Sequence, residues 1–232
     1  MHGKDERIAF MKITAIVPMK LNNRRLPQKN TRCFTNGKPL CNYIFSTLLT
    51  VDEIDEVYAY CSNPDIQEYL PNRVKFLRRP PAFDSDSTKM NEVLKVFADE
   101  VSADVYVMAH TTAPFVSRIS IENGLKAVCS GKYDSAFAAK RQQDFLWKDG
   151  KPLNYELEHI PRTQDLPVIY METSGFYIYK REVIALQNRR IGKNPYIVEV
   201  GEIEGIDIDE EEDFMIADAV YNYIMKDKGH GY

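Results

Sequence analysis

The hydrophobic positions of this chain fall into short buried runs that alternate with longer segments of helical period. Strands are predicted at residues 13–18, 56–60, 74–77, 105–109, 135–139, 176–179 and 197–200. Helices are predicted at residues 40–48, around 93–97, at 117–129 and around 214–224, with a short helix from Pro64 through Leu70. This alternation predicts an α/β fold in which a mainly parallel sheet is flanked by helices.

The alternation lapses between residues 140 and 173. Within this stretch Trp147-Lys148-Asp149-Gly150-Lys151 predicts a hairpin tip, because Asp-Gly supplies the positive φ values of a tight turn. A stretch this long without regular elements is unusual inside a compact domain. We therefore interpret residues 1–232 as one domain with an arm at about 140–172, which either covers a site or embraces a second subunit.

Composition narrows the class of protein. With 232 residues, 44% of them hydrophobic and 28% charged, the chain can bury a core of ordinary size. No stretch approaches the ~20 apolar residues of a membrane span, and the first ten residues carry charges where a signal peptide would be apolar. We therefore expect a cytoplasmic protein without a membrane partner.

The four cysteines include no Cys-x-x-Cys pair, which favours reduced core thiols over disulfides or a zinc site.

Charge is distributed unevenly along the chain, although the net charge is only −4. Residues 7–51 contain no acid, and their basic residues are Arg7, Lys12, Lys20, Arg24, Arg25, Lys29, Arg32 and Lys38. Residues 199–213 contain nine acids and no Lys or Arg. The net charge argues against bulk nucleic-acid binding. If the fold joins these two regions, it forms a cationic cradle for a polyanion beside a carboxylate cluster for a divalent metal.

The basic loop of residues 20–30 leaves the C-terminal end of the first predicted strand, where open α/β sheets bind their ligands. Its cationic side chains are Lys20, Arg24, Arg25 and Lys29. They are candidates for binding triphosphate oxygens, where they would neutralise the charge that develops on a pyrophosphate leaving group. The Gly-Lys-Ser/Thr of a Walker loop is missing. The alternative is a solvated basic loop.

Two aspartates form the second candidate site. Asp207 and Asp209 lie two residues apart, so an extended segment places both carboxylates on one face. Such a pair suits Mg²⁺ that is also bound by substrate phosphates. The alternative is a capping box, in which Asp209 and Glu212 begin a helix and residues 210–212 serve the cap.

Two further residues are candidates at strand ends. His110 follows the predicted central strand, and we favour a neutral hydrogen-bonding role over a general base because no carboxylate lies nearby in sequence. Arg79 precedes two prolines and is either a rigidly presented cation or an ordinary surface arginine. No Ser/His/Asp order indicates a covalent nucleophile.

A series of segments matches the motifs of one enzyme family. They are Met19-Lys20 with Leu26-Pro27-Gln28-Lys29-Asn30, Arg79-Pro80 with Ser85-Asp86, Met108-Ala109-His110-Thr111-Thr112-Ala113-Pro114, Arg162-Thr163-Gln164-Asp165-Leu166-Pro167, Ser174-Gly175-Phe176-Tyr177-Ile178, and Asp207-Ile208-Asp209-Glu210-Glu211-Glu212-Asp213. In this order and at near-family spacing, they make the chain resemble the acylneuraminate (CMP-sialic acid) cytidylyltransferases, whose CMP-Kdo relatives share the fold. The resemblance spans nearly the whole chain.

The resemblance implies a Rossmann-like sheet of the nucleotide-diphospho-sugar transferase type and a homodimer joined through the arm. It implies transfer of CMP from CTP to an acidic nonulosonic (sialic-acid-like) sugar with release of pyrophosphate, as in cell-surface polysaccharide biosynthesis. Mg²⁺ would be bound by Asp207 and Asp209. The implied catalytic residues are Lys20, Lys29 and Asp209. The implied nucleotide-binding residues are Pro18, Met19, Lys20, Lys29, Asn30, Arg79 and Asp86, and the implied substrate-binding residues are His110, Thr112, Arg162, Gln164 and Ser174.

Departures from the family pattern lie mostly on the acceptor side. Lys20 stands where the family has arginine, His110 where it has glutamine, and Ser174 where it has asparagine. The Gln-Gly-Asp loop of Kdo enzymes and the Gly-x-Gly-x-Arg loop of sugar-phosphate nucleotidyltransferases are both absent. Two alternatives stay open, namely a cytidylyltransferase for a different phosphorylated or acidic acceptor and a degenerate homologue that binds CTP without turnover.

Overall fold

The buried run after residue 12 forms the middle of a seven-stranded sheet in a computed structural model that describes residues 11–229. The strands are β1 (Ile13–Met19), β2 (Glu56–Cys61), β3 (Lys75–Arg78), β4 (Val105–Ala109), β5 (Ser135–Gln142), β6 (Trp147–Lys148), β7 (Lys151–Pro152), β8 (Ile169–Lys180) and β9 (Pro195–Val200). The helices are α1 (Cys41–Leu48), α2 (Met90–Glu100), α3 (Arg118–Cys129), α4 (Arg181–Gln187) and α5 (Glu211–Gly229). Short 3₁₀ turns occupy Pro64–Tyr69, Pro81–Asp84 and Thr163–Asp165.

The sheet has the strand order β3-β2-β1-β4-β8-β5-β9, and its pairs are parallel except where β8 runs antiparallel to β4 and β5. The predicted mainly parallel, Rossmann-like sheet with flanking helices is therefore confirmed. Because parallel strands end at one edge, the loops after β1, β2, β3 and β4 lie along the same side of the molecule.

Three elements differ from the sequence prediction. Helix α4 was not predicted, and β8 begins at Ile169 although the pattern indicated only residues 176–179. The first half of β8 is largely exposed, whereas Phe176 through Tyr179 is fully buried, so only the second half leaves a hydrophobic signature. The predicted helix after Pro64 is a 3₁₀ turn capped by the Asn63 side chain.

The arm predicted at about 140–172 corresponds in the structure to the shorter segment between β5 and β8. Strands β6 and β7 form its hairpin, and the turn residues Asp149 and Gly150 have φ values of 51° and 75°, which confirms the predicted tip. Exposed apolar side chains cluster in this segment at Trp147, Leu153, Leu157 and Ile160. Among the helices within residues 11–229, none combines the length and apolarity that a bilayer crossing requires.

The core has one apolar layer on each face of the sheet. Alternate residues of β1 divide between the layers, with Ala15 and Val17 facing α1 and α3 and Ile16 facing α2 and α4. Three of the four cysteines, Cys41, Cys61 and Cys129, are buried, while Cys33 is exposed. The prediction of core cysteines holds for Cys41, Cys61 and Cys129, but Cys33 lies outside the core.

A third apolar cluster packs residues of the basic region near the start of the chain against residues of the acidic region near its end. Its buried members are Leu26, Phe34, Leu40, Tyr43, Ile208, Phe214 and Ala217. The rings of Phe34 and Phe214 meet edge to face with centroids 5.1 Å apart. The backbone N–H of Thr35 also donates to Asp218 at 3.0 Å. This cluster, called the closure cluster below, holds the loop after β1 against the segment that begins α5. Arg7, the first residue of the basic run, lies outside the described residues.

We predict that Phe34→Ala lowers the free energy of unfolding by about 3–5 kcal/mol, because it removes a buried ring and leaves a cavity. Amide hydrogen exchange should accelerate together in residues 26–40 and 206–217. Phe97→Ala is the matched control, since Phe97 is fully buried in the other apolar layer. Equal acceleration of both segments in the control would contradict the role of the closure cluster.

Candidate functional site

A cleft of ≈ 330 Å³ opens where β1 and β4 end. Its lining includes all seven predicted nucleotide-binding residues, which are Pro18, Met19, Lys20, Lys29, Asn30, Arg79 and Asp86. His110 and Thr112, from the predicted acceptor side, line it as well. The fold thus gathers residues from four separate segments at the position expected for a ligand in an open α/β sheet.

Asn30 ties the basic loop to the end of β4. Its Nδ2 donates to the carbonyl oxygen of Lys20 at 2.7 Å, and its Oδ1 accepts from the Thr111 hydroxyl at 2.5 Å. Asn30 is only 3% exposed, so these bonds are protected from competing water. Thr111 was missed by the sequence analysis. Its position directly after a buried strand was the one available signal.

Lys29 is a buried lysine, 8% exposed, that links the basic loop to the acidic segment. Its Nζ donates to the carbonyl oxygen of Ile208 at 2.8 Å and lies 3.3 Å from Asp209 Oδ1. The same carboxylate oxygen lies 2.9 Å from a guanidinium nitrogen of Arg25. The cationic and acidic regions of the sequence therefore meet, which is the condition that the sequence analysis set for a cationic cradle beside a carboxylate cluster.

The pair Asp207 and Asp209 has features that suit a divalent metal. Asp207 Oδ1 is buried and has no hydrogen-bond partner among the residues the structure describes, which leaves a hard oxygen free to coordinate a cation. Burial, and secondarily the charge of Asp209, raises the pKa of Asp207, while Thr112 opposes this with a hydrogen bond. Within residues 11–229 no group of three or more His, Cys, Asp or Glu side chains could hold a metal. A metal here would need substrate oxygens to complete its coordination.

The predicted capping box of Asp209 and Glu212 differs from the structure by one residue. Asp213 Oδ2 accepts the backbone N–H groups of both Asp209 and Glu210 at 2.9 Å, so Asp213, not Glu212, is the acid that reaches back. Glu211 pairs with Arg32, and this hydrogen bond lowers the pKa of Glu211. Glu211 and Glu212 do lie in the first turn of α5, as the capping interpretation expects, although Glu211 also pairs with Arg32. The Asp209 carboxylate is directed at the basic loop.

Arg79 is 4% exposed, so the surface alternative for it is wrong. Its Nη2 pairs with Asp84, a residue that sequence reasoning missed, and the other oxygen of Asp84 accepts from the Ser62 hydroxyl at 2.6 Å. The Arg79 Nε is buried without a partner among the described residues. Arg79 is thus held rigidly in the cleft wall with one donor unused.

The carboxylate of Asp86 forms ion pairs with two cations of the basic loop. Asp86 lies 3.0 Å from Lys20 Nζ and 2.9 Å from Arg24. These contacts lower the pKa of Asp86, chiefly through the hydrogen bond from Lys20. A neighbouring cleft of ≈ 360 Å³ shares Lys20, Lys29 and Asp86 with the first and adds Asp209 to its lining. A polyanion entering between them must replace these carboxylates as the partner of the cations.

His110 lies at the inner end of the cleft, and its backbone N–H donates to the carbonyl oxygen of Gly175 at 3.2 Å. Burial, followed by the charges of Arg190 and Lys29, lowers the pKa of His110 to about 4. The imidazole is therefore neutral at pH 7, which agrees with the interpretation of His110 as a hydrogen-bonding group.

The remaining acceptor-side residues are not brought to the cleft lining. Arg162 pairs with Asp165 at 2.7 Å in the arm, and the backbone oxygen of Gln164 accepts from Gln143 at 3.3 Å. Ser174 lies in β8 with a φ of 58°, beside the irregular pairing of β5 and β8. Arg162 and Gln164 belong to the segment between β5 and β8, and sequence order alone could not indicate that they lie outside the cleft lined by His110 and Thr112.

Comparisons with known proteins agree on one family. The family profile described as Cytidylyltransferase matches residues 14–216. The chain is 25% identical over 217 residues to N-acylneuraminate cytidylyltransferase of Oncorhynchus mykiss, covering 89% of this chain and 49% of that protein. It is 24% identical over 229 residues to N-acylneuraminate cytidylyltransferase A of Danio rerio, covering 93% and 53%. The chain thus spans about half the length of these curated relatives.

Solved structures share the fold. One is CMP:2-keto-3-deoxy-manno-octonic acid synthetase complexed with CTP, with a TM-score of 0.68, 16% identity, and coverage of 91% of this chain and 99% of that one. Another is 4-diphosphocytidyl-2C-methyl-D-erythritol synthase from Anaerococcus prevotii, with a TM-score of 0.69, 15% identity, and coverage of 94% and 100%.

We predict that the His110 imidazole, followed by NMR, shows no protonation between pH 8 and about 5.5, because its pKa is about 4. In the unfolded chain the same group takes up a proton near pH 6.5. The unfolded state therefore binds more protons in this window, and stability falls as pH drops from about 6.5 toward 4. His110→Gln should lack this component of the pH dependence. A His110 resonance that titrates near pH 6.5 would disprove the assignment.

Proposed function

Because the chain belongs to the cytidylyltransferase family, we propose that it transfers CMP from CTP to an acidic nonulosonic, sialic-acid-like sugar and releases pyrophosphate. The observation that carries the proposal is the cleft lined by all seven predicted nucleotide-binding residues, together with the adjoining contact of the basic loop with Asp209. Similarity to two proteins named N-acylneuraminate cytidylyltransferases supports the acceptor class.

Lys20 and Lys29 would bind the triphosphate in different ways. Lys29 is enclosed, so its charge acts in a medium of low dielectric and would offset strongly the charge that develops on departing pyrophosphate. Lys20 is more accessible and would exchange Asp86 for phosphate oxygens as the nucleotide enters. Its ammonium provides a point charge without the bidentate geometry of the arginine found in the family.

Asp207 and Asp209 would hold Mg²⁺, with the unpartnered Oδ1 of Asp207 as one ligand. When bound, this ion would supply Lewis-acid polarisation and charge neutralisation at the phosphates. Asp209 would then release Arg25 and Lys29, which leaves both cations available to phosphate oxygens. The acceptor hydroxyl would attack the α-phosphorus in line, with neutral His110 and Thr112 contacting the sugar.

We extend the proposal to a cytoplasmic homodimer joined through the arm. The arm exposes large apolar side chains, among them Trp147 at 56%, Leu157 at 56% and Ile160 at 65%. Apolar side chains clustered on a projecting segment are typical of a protein interface. In such a dimer the arm residues Arg162 and Gln164 would be free to contribute to a site other than the cleft of their own chain.

The proposed activity is tested by incubating the protein with Mg²⁺, each nucleoside triphosphate in turn, and a panel of sugar acids of the neuraminate, legionaminate, pseudaminate and Kdo types. Pyrophosphate release and the mass of the product are recorded. Release with CTP and one nonulosonic acid would support the proposal and name the acceptor. CTP binding without turnover across the panel would favour another acceptor or a degenerate homologue, and absence of CTP binding would contradict the proposal altogether.

We predict that Asp209→Asn lowers turnover by about 100-fold or more, because it removes a metal ligand and the charge that organises the phosphate site. Far-ultraviolet circular dichroism should remain that of the unaltered protein. Glu212→Gln is the matched control, since Glu212 is an exposed acid of the same segment and should leave turnover within about twofold. Full activity in Asp209→Asn would remove the metal assignment.

We predict that light scattering gives twice the chain mass for the unaltered protein and that Leu157→Asp shifts it toward the monomer, because a buried carboxylate would be introduced into the interface. Leu186→Asp is the control, since Leu186 is 84% exposed and belongs to α4, outside the arm. A monomeric mass for the unaltered protein at micromolar concentration would contradict the dimer.

A further inference from the structure

A third cleft, of ≈ 570 Å³, adjoins the nucleotide cleft and has no role in the proposal so far. It is lined by Lys89, Met90, Asn91, Glu172, Arg189, Arg190 and Ile191. Met90 also lines the first cleft, so the two are contiguous. The lining carries three cations against one carboxylate, and the volume lies in the range of small-molecule sites. We call it the anion cleft.

Arg190 is the cation of this cleft whose position is fixed. Its guanidinium carbon lies 4.0 Å from the centroid of the Tyr177 ring, so the planar group stacks on the aromatic face. Its Nη2 donates to the Tyr177 hydroxyl at 3.1 Å and to Glu172 Oε1 at 3.3 Å. Within residues 11–229 these hydrogen bonds come from Nη2, which leaves Nη1 and Nε for a ligand.

A bulge in β8 creates this support. In a regular strand residues 172 and 177 would point to opposite faces, because their separation is odd. Opposite them, β5 advances only from Phe137, paired with Tyr177, to Ala139, paired with Glu172, and Ser174 between them has a positive φ of 58°. The irregularity turns Glu172 to the face of Tyr177, and the two side chains hydrogen-bond. Bulges commonly re-aim side chains in this way next to functional sites.

The backbone that carries Arg190 is also restrained. Helix α4 ends at Asn188, which adopts the left-handed conformation, with φ 49° and ψ 47°, and turns the chain toward the cleft. Two residues beyond Arg190, the Cβ position of Gly192 lies within 2.4 Å of Asp134, which leaves no room for a side chain there. The Asp134 carboxylate accepts the backbone N–H of Lys193 at 2.7 Å. Arg190 is thus presented by a segment fixed on both sides.

Arg190 lies close to the inner end of the nucleotide cleft. After burial, its charge is the largest cause that lowers the pKa of His110. An acceptor that receives CMP must lie beside the α-phosphate, and in a nonulosonic acid the carboxylate is attached to the carbon that bears the attacking hydroxyl, so the group that binds this carboxylate must adjoin the nucleotide cleft. The anion cleft meets this condition.

We propose that Arg190 binds the carboxylate of the acceptor sugar, with Arg189 and Lys89 adding positive charge at the rim. The inference rests on the proposed function, and it assigns a specificity-determining residue to it. A carboxylate fits this site because its oxygens can accept charge-assisted hydrogen bonds from Nη1 or Nε of a guanidinium whose Nη2 is held by Tyr177 and Glu172.

The test compares Arg190→Gln, Arg190→Lys and the control Arg73→Gln, which removes an exposed arginine from another part of the surface. Each is assayed with the active sugar acid and with its methyl ester, which keeps the sugar but removes the charge. In the unaltered protein the acid should be strongly preferred. Arg190→Gln should raise KM for the acid roughly 10- to 100-fold and leave the ester nearly unchanged, as expected for loss of a charged hydrogen bond.

Two readouts separate this role from a structural one. The Kd for CTP and inhibition by pyrophosphate should be unchanged in Arg190→Gln, because neither ligand would contact Arg190, and Arg190→Lys should recover part of the acid preference. If the acid remains preferred over the ester in Arg190→Gln, the assignment of Arg190 is overturned while the proposed function stands. If the unaltered protein uses only a neutral or phosphorylated acceptor, both are overturned.

Discussion

The contact between Phe34 and Phe214 holds together two segments that are about 180 residues apart in sequence, and the candidate site depends on it. The rings lie 5.1 Å apart in an apolar cluster that also buries Leu26 and Ile208. Each of these residues lies close in sequence to a charged group of the site. Leu26 precedes Lys29, and Ile208 stands between the two candidate metal ligands. Hydrophobic packing, which is nondirectional, here sets the distance between cations and carboxylates that would otherwise be held only by ion pairs.

Pairing within the protein keeps the charges of the site compensated. Lys29 and Arg25 share Asp209, Lys20 and Arg24 share Asp86, and Arg79 is held by Asp84. Lys29 and Arg79 are buried, and buried charge is tolerated only when it is paired and hydrogen-bonded, so Asp209 and Asp84 make these two cations compatible with a stable fold. The same acids compete with any incoming polyanion. Affinity for a ligand is therefore a difference between two sets of charge-assisted contacts.

The elements that could be predicted from the sequence are those with a uniform environment. Strand β1 is buried along its length and α3 has a side-chain cap at Ser117, so their patterns are unambiguous. The exposed first half of β8 and the short helix α4 leave no such pattern. The order of the motifs identified the residues on the nucleotide side of the cleft. It did not identify Asp84, which is defined by its contacts with Arg79 and Ser62, or Arg190, whose support depends on the irregular pairing of β8. The sequence analysis named Glu212 as the acid that caps α5, whereas Asp213 has this role, and only the backbone geometry distinguishes the two.

Strand β8 is the antiparallel member of the described sheet, and its path connects two regions that were described separately. It begins beside the arm at Ile169 and ends paired with the central strand β4, so one continuous backbone joins the arm to the middle of the fold. The bulge at Ser174 lies midway along it, between Glu172 and Tyr177. Because both of those side chains accept hydrogen bonds from Arg190, a change in the register of β8 would alter the support of Arg190 together with the attachment of the arm.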